Sequence, residues 1–251
     1  MNDYIDDFSN HLREAIEIAN NTSLTSCTKE IRNVLICGLG GSGIGGTIVS
    51  DIISPKVDIP ITATRDYSIP NFVNEHTLVI ANSYSGNTEE TLYALEKCQL
   101  RGAEIAVITS GGKLKAIAEE NKYNKIIIPG NQPPRAMFGY AFTELFFMLN
   151  HYGIIDDSFK SDFTKAIELL DTEKSDTQEQ AMSLAKKMYK QTPVIYVANG
   201  FEGVAVRFRQ QINENSKMLC WHHVVPEMNH NELLGWRTNV DDLAVVYFRN
   251  K

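Results

Sequence analysis

A chain of 251 residues, 43% hydrophobic and 22% charged, has the composition of a globular protein of one large domain or two small ones. Disordered, collagen-like and coiled-coil classes are excluded. Its 24 Lys and Arg against 31 Asp and Glu leave a net charge of −7, which argues against nucleic acid as a partner, because neutralising phosphates needs a basic surface. A local cationic pocket for a small anion stays compatible with that charge.

The first twenty residues, MNDYIDDFSNHLREAIEIAN, are acidic and helical in pattern. They lack a basic segment followed by an apolar one, so they do not read as a signal peptide, and no stretch reads as membrane-spanning. Cys27, Cys37, Cys98 and Cys220 form no CxxC pair and read as reduced thiols of a cytoplasmic protein, with Cys37 buried in an apolar run. Residues 33–37 (NVLIC) predict a buried strand ending at Gly38, followed by a helix over 44–53. Strands are predicted at 59–65, 77–82, 103–109 and 125–128, and helices at 88–101, 112–121 and 136–151. This alternation argues for a parallel sheet with helices on both faces. Residues 153–192 are polar and mostly helical. A strand at 193–199 runs into Gly200 and a helix over 203–218, repeating the opening strand–Gly–helix unit, and 242–248 is the last predicted strand. The organisation read from these signals is an N-terminal α/β unit (1–152), a helical connection (153–192) and a second, partial unit (193–251). Two or three strands are few for an independent sheet, so the second unit is expected to show an apolar edge at 242–248 and to belong to a longer protein.

Two motifs follow predicted strands. Gly38-Leu39-Gly40-Gly41-Ser42-Gly43-Ile44-Gly45-Gly46 places glycines at a strand–helix junction, where backbone N–H groups can approach an anion. Gly38, Gly40 and Gly43 also fit the dinucleotide spacing, with Asp66 after the next strand as a candidate ribose acid; a ligand-free turn fits as well. Ser83-Tyr84-Ser85-Gly86-Asn87-Thr88-Glu89-Glu90-Thr91 gathers hydroxyls where a second strand meets a helix. Hydroxyls and unpaired helix N–H groups make a phosphate cradle with little need for Lys or Arg, and a dehydrogenase has no use for it. The plain alternative is Thr88 as a helix N-cap.

GLGGSGIGG and SYSGNTEET together resemble the sugar isomerase (SIS) fold family. With PPRAMFGY (133–140) and NHNELLGW (229–236) the chain resembles the bifunctional phosphoglucose/phosphomannose isomerases from about residue 30 to its end. The resemblance implies an α/β fold of two SIS-type, flavodoxin-like parallel-sheet units with flanking helices, the second incomplete at its C-terminus. It implies an aldose–ketose isomerase that interconverts glucose 6-phosphate, with mannose 6-phosphate left open, and fructose 6-phosphate through a cis-enediol. Gly41, Ser42, Ser83, Ser85 and Thr88 would hold the sugar phosphate. Arg135, behind two prolines, would lie at the reacting end of the sugar, where a cation stabilises an enediolate.

Glu214, in Gln210-Gln211-Ile212-Asn213-Glu214-Asn215-Ser216-Lys217, matches the family's proton-transfer base; by composition alone it reads as a solvated helix face. His230 matches the ring-opening histidine, which needs a pKa near neutrality. His222, His223, Glu227, His230 and Glu232 also invite a metal reading. Adjacent histidines on an extended segment point to opposite sides, and Pro226 breaks any helix that would carry them all. The family uses no metal and no cofactor, and forms homodimers whose shared active site takes the histidine from the partner. Its ring-opening lysine on a C-terminal helix has no match here, since Lys251 follows directly on a strand. The competing classes are a sugar-phosphate sensor, which needs no Glu214/His230 pair, and a dinucleotide-dependent oxidoreductase, which needs no hydroxyl loop at 83–88.

Overall fold

The computed structural model describes residues 1–239 and 241–249 and divides into two compact units, Met1–Glu168 and Leu169–Lys251. In the first unit α1 (Asn2–Asp6) and α2 (Phe8–Asn21) precede β1 (Asn33–Cys37), α3 (Gly40–Ile53), β2 (Ile61–Thr64), β3 (Thr77–Ser83), α4 (Glu89–Leu100), β4 (Glu104–Thr109), α5 (Gly112–Glu120), β5 (Asn124–Ile127), α6 (Phe138–His151) and α7 (Ser158–Thr172). The five strands are all parallel, in the order β2-β1-β3-β4-β5. Each strand predicted from the sequence is present, its bounds shifted by a residue or two.

β3 is buried along its whole length, which is why its sequence runs apolar instead of alternating. In β1, Val34 and Ile36 face a core built with α2, α3, α6 and α7, while Leu35 and Cys37 face a second core under α4 and α5. Cys98 of α4 shares that second core, Cys27 is half-buried, and all four cysteines are free thiols.

α3 departs from prediction by starting at Gly40 and not at Ile44. Glycine is a poor helix former, but here close packing overrides propensity. A Cβ on Gly46 would come within 2.7 Å of Ile36, and one on Gly43 within 2.3 Å of the Gly38 carbonyl oxygen. Only bare backbone lets α3 lie this close to β1. The helix predicted from 136 begins instead with a 3₁₀ turn, Pro134–Ala136, before α6, since proline favours a first helical position.

The second unit holds α8 (Lys174–Met188), β6 (Thr192–Ala198), α9 (Glu202–Gln211), β7 (Trp221–Val225) and β8 (Leu243–Phe248). Its parallel sheet has the order β7-β6-β8. β7 is absent from the prediction, because this edge strand carries two histidines and an exposed tryptophan where an apolar run would be the signal. α9 also ends earlier than the predicted 218, with Ile212–Ser216 widening into a π turn. β8 lies at one edge of this sheet, and its Val245 and Tyr247 side chains are exposed on one face. Cys220 is buried in this unit's core. Among the described residues no helix is long and apolar enough to cross a membrane.

Candidate functional site

The winding of the first sheet reverses beside β1. From β1 the chain crosses through α3 to β2 on one side, then returns to β3 and continues to β4 and β5 on the other. Such reversals leave a crevice at the C-terminal strand ends, where doubly wound sheets bind ligands. Cys37 pairs with Ala81 and β3 runs on through Ser83, so the loops that begin at Gly38 and at Tyr84 leave the same end of the sheet, two residues apart in level.

These two loops are bonded together. Asn82 Nδ2 donates to the Ser42 carbonyl at 3.1 Å, and the Tyr84 N–H donates to Ser42 Oγ at 3.2 Å. Ser83 Oγ and Thr88 Oγ1 lie 2.8 Å apart. Ser42 Oγ therefore acts as an acceptor and keeps its own proton to donate, and the Ser83–Thr88 pair likewise has one O–H beyond the proton it shares. Thr88 occupies the N-cap position of α4, yet its side chain makes no capping bond. The plain N-cap reading thus fails: Thr88 turns to Ser83 and leaves the first-turn N–H groups of α4 to another acceptor, which is the arrangement that suits an anion. Gly41 and Ser42 lie in the first turn of α3, opposite this helix end. Ser85 is less committed to the crevice, since its Oγ accepts from Asn87 N at 3.2 Å within its own turn.

Gly86 fixes the loop. Its φ of +65° is a left-handed conformation, and a Cβ there would sit 1.8 Å from the Gly111 carbonyl oxygen. Gly86→Ala is expected to cost roughly 2–4 kcal/mol and to abolish phosphate binding, read by urea denaturation and by calorimetry. An alanine variant that binds phosphate normally contradicts this role. The carboxylate of Asp66, the candidate ribose acid, accepts from Tyr67 N at 2.6 Å and Ser68 Oγ at 2.8 Å, bonds that hold its pKa below the ordinary value. It is spent on its own turn.

Arg135 is half-buried in the Pro134–Ala136 turn, at the same C-terminal end of the sheet. Three residues earlier, the Gln132 N–H donates to the Tyr84 phenol oxygen at 3.0 Å.

In the second unit Glu214 sits in the π turn, and Lys217 at φ +57° ends it. Single π turns are rare and concentrate at functional sites. Burial pulls the pKa of Arg207 on α9 down while the Glu214 carboxylate pushes it back up, so the two charges lie in each other's field. The Glu214 side chain itself is exposed, as are those of Asn213, Asn215 and Ser216 around it. His230 is exposed in the 3₁₀ turn Glu227–His230. His222 and His223 project from opposite faces of β7, towards Glu202 (3.4 Å) and Glu232 (2.9 Å) respectively. Lys251 lies outside the described residues.

Ser42, Ser83, Thr88 and the Arg135 turn thus come together at one sheet end, while Glu214 and His230 belong to the other unit. Asn82, Tyr84 and Arg207 escape the sequence reading. The one available signal was Asn82, a polar residue closing an apolar strand run.

Residues 30–152 match the SIS domain family, and residues 177–251 match the bacterial phospho-glucose isomerase C-terminal SIS domain. The chain is 40% identical over 231 residues to the bifunctional phosphoglucose/phosphomannose isomerase of Caldicellulosiruptor bescii, covering 89% of this chain and 68% of that protein. It is 35% identical over 213 residues to the D-glucosamine-6-phosphate 4-epimerase of Sulfolobus acidocaldarius, covering 82% of this chain and 64% of that one. Among solved structures, the C-terminal domain of glucosamine-fructose-6-phosphate aminotransferase from Francisella tularensis superposes with a TM-score of 0.68 at 13% identity, covering 96% of this chain and 71% of that one; it shares the fold. The chain spans about two thirds of the length of the two sequence relatives. With both SIS domains matched in order, and with that identity over most of its length, the chain belongs to the bifunctional phosphoglucose/phosphomannose isomerase family.

Proposed function

We propose that this protein is an aldose–ketose isomerase that interconverts glucose 6-phosphate and fructose 6-phosphate, with mannose 6-phosphate as a second substrate. The observation that carries the reading is the bonded Ser42, Ser83 and Thr88 constellation at the sheet reversal, on a chain of this family. In this reading the hydroxyls and the α4 N-terminus hold the phosphate and leave the sugar's reacting end to other groups. His230 opens the ring. Glu214 moves a proton between C2 and C1, and Arg135 stabilises the enediolate as its charge develops. The active unit is a homodimer with a shared site, in the cytoplasm, where four free thiols suit a reducing compartment.

The test is incubation with fructose 6-phosphate in deuterated water, followed by NMR. Glucose 6-phosphate and mannose 6-phosphate carrying deuterium at C2 are expected. The identity to a 4-epimerase favours a second reading, inversion at C4 of glucosamine 6-phosphate, which the same assay reads with that sugar. Phosphate binding with no turnover of either substrate overturns both and leaves a sugar-phosphate sensor.

A further inference from the structure

Tyr84 joins loops that the sequence keeps far apart. Its backbone N–H donates to Ser42 Oγ in the first turn of α3, just after β1, at 3.2 Å. Its carbonyl accepts from Ser110 N at 3.0 Å and Ser110 Oγ at 2.6 Å, in the loop after β4. Its phenol oxygen accepts from the Gln132 N–H at 3.0 Å, in the segment after β5. The ring packs against the first unit's main core, so the phenol is held by packing as well as by its bond.

The Gln132 bond matters because of what flanks it. Asn131 stands at φ +63°, a left-handed conformation that asparagine adopts readily at a turn. Pro133 and Pro134 follow, and two fixed φ angles leave the chain little freedom between Gln132 and Arg135. Tyr4 also donates to the Gln132 side chain from the N-terminal helix. A residue whose backbone is pinned on one side of a stiff Pro-Pro pair determines where the residue on the other side stands.

We propose that Tyr84 is a positioning residue for the isomerase reaction. Through its phenol and Gln132 it sets the reach of Arg135, while its backbone sets the phosphate cradle, so that the anion-holding and charge-stabilising parts keep a fixed separation. This rests on the isomerase reading, in which Arg135 faces the sugar's reacting end. The phenol hydroxyl contributes to turnover and not to phosphate affinity, because the bonds that shape the cradle come from the Tyr84 backbone.

Tyr84→Phe removes the phenol oxygen alone. Its kcat with fructose 6-phosphate is expected to fall about tenfold, with KM and the Kd for inorganic phosphate within about twofold of the parent, since small displacements of a charge-stabilising group cost rate before affinity. Arg135→Gln is expected to lower kcat further, and adding Tyr84→Phe to it should change nothing more, because a positioning residue has nothing left to position. A Tyr84→Phe protein with the parent's kcat, beside an impaired Arg135→Gln, overturns the proposal and leaves the isomerase reading standing. The same tenfold loss in the Arg135→Gln background also overturns it, as does a loss confined to KM, either of which marks Tyr84 as a support of the fold alone. An Arg135→Gln protein as active as the parent removes Arg135 from the reaction and overturns the proposal, while its turnover leaves the isomerase reading standing.

Discussion

Glu214→Gln is expected to lower turnover of fructose 6-phosphate roughly 10²–10⁴-fold, the range spanned by loss of a positioned acid–base group. Glutamine keeps the size and most of the hydrogen bonding of the side chain but cannot take a proton. Binding of inorganic phosphate should be unchanged, because Ser42, Ser83 and Thr88 belong to the first unit and Glu214 to the second. Deuterium from solvent should stop entering C2. Arg207 sharpens the test. Its charge lies in the field of the Glu214 carboxylate, so a neutral side chain at 214 leaves a half-buried cation less compensated. A modest loss of stability in the second unit should accompany the loss of turnover. Near-parental turnover would return Glu214 to the status of a helix-end residue and assign the proton transfer to another group.

The second large effect concerns stability and pH. Glu144 on α6 is completely buried, and neither carboxylate oxygen has a hydrogen-bond partner among the described residues. Burial raises its pKa from 4.5 to about 8. Between those values the unfolded chain gives up a proton that the folded chain keeps. Stability from this group is therefore full below pH 4.5 and is lost as pH rises to about 8. At about 1.36 kcal/mol per unit the whole change is about 5 kcal/mol. Glu144→Met replaces the acid by an apolar side chain of similar length. The stability difference between the two proteins should widen by about 4 kcal/mol between pH 5 and pH 8, measured by urea denaturation at each pH. Parallel pH profiles would show that Glu144 ionises without cost in the fold.

Glu144 also marks where a sequence stops being readable. In Phe138–His151 it is a lone acid among apolar residues, and a helical pattern places such a residue on a polar edge as readily as inside. Burial on one helix face is decided by what packs on it. The strands at 33–37 and 77–83 were legible because both sides of the sheet are covered, which demands an unbroken apolar run. β7 was not, because an edge strand relaxes that demand and admits His222 and His223. The hydroxyl loop was legible in residue type, whereas the decisive fact is directional. Thr88 turns from its helix to Ser83, five residues back, although a capping bond within its own helix is equally open to a threonine there. The link from Tyr84 to Gln132 crosses 48 positions and leaves no local pattern at all.

The placement of the cysteines gives each unit its own chemical clock. Cys37 is 1% exposed beneath α4 and α5, Cys98 on the inner face of α4 is 0% exposed, Cys220 is 5% exposed beside β6, and Cys27 is half-open to solvent. A thiol must meet water and ionise before an alkylating reagent captures it, and burial pushes the pKa of Cys220 up to about 11. Cys27 is therefore consumed at once, and the remaining three are captured only as fast as the core around each one opens. Mass spectrometry of the alkylated peptides separates the opening rate of the first unit from that of the second in one undenatured sample, without a substitution.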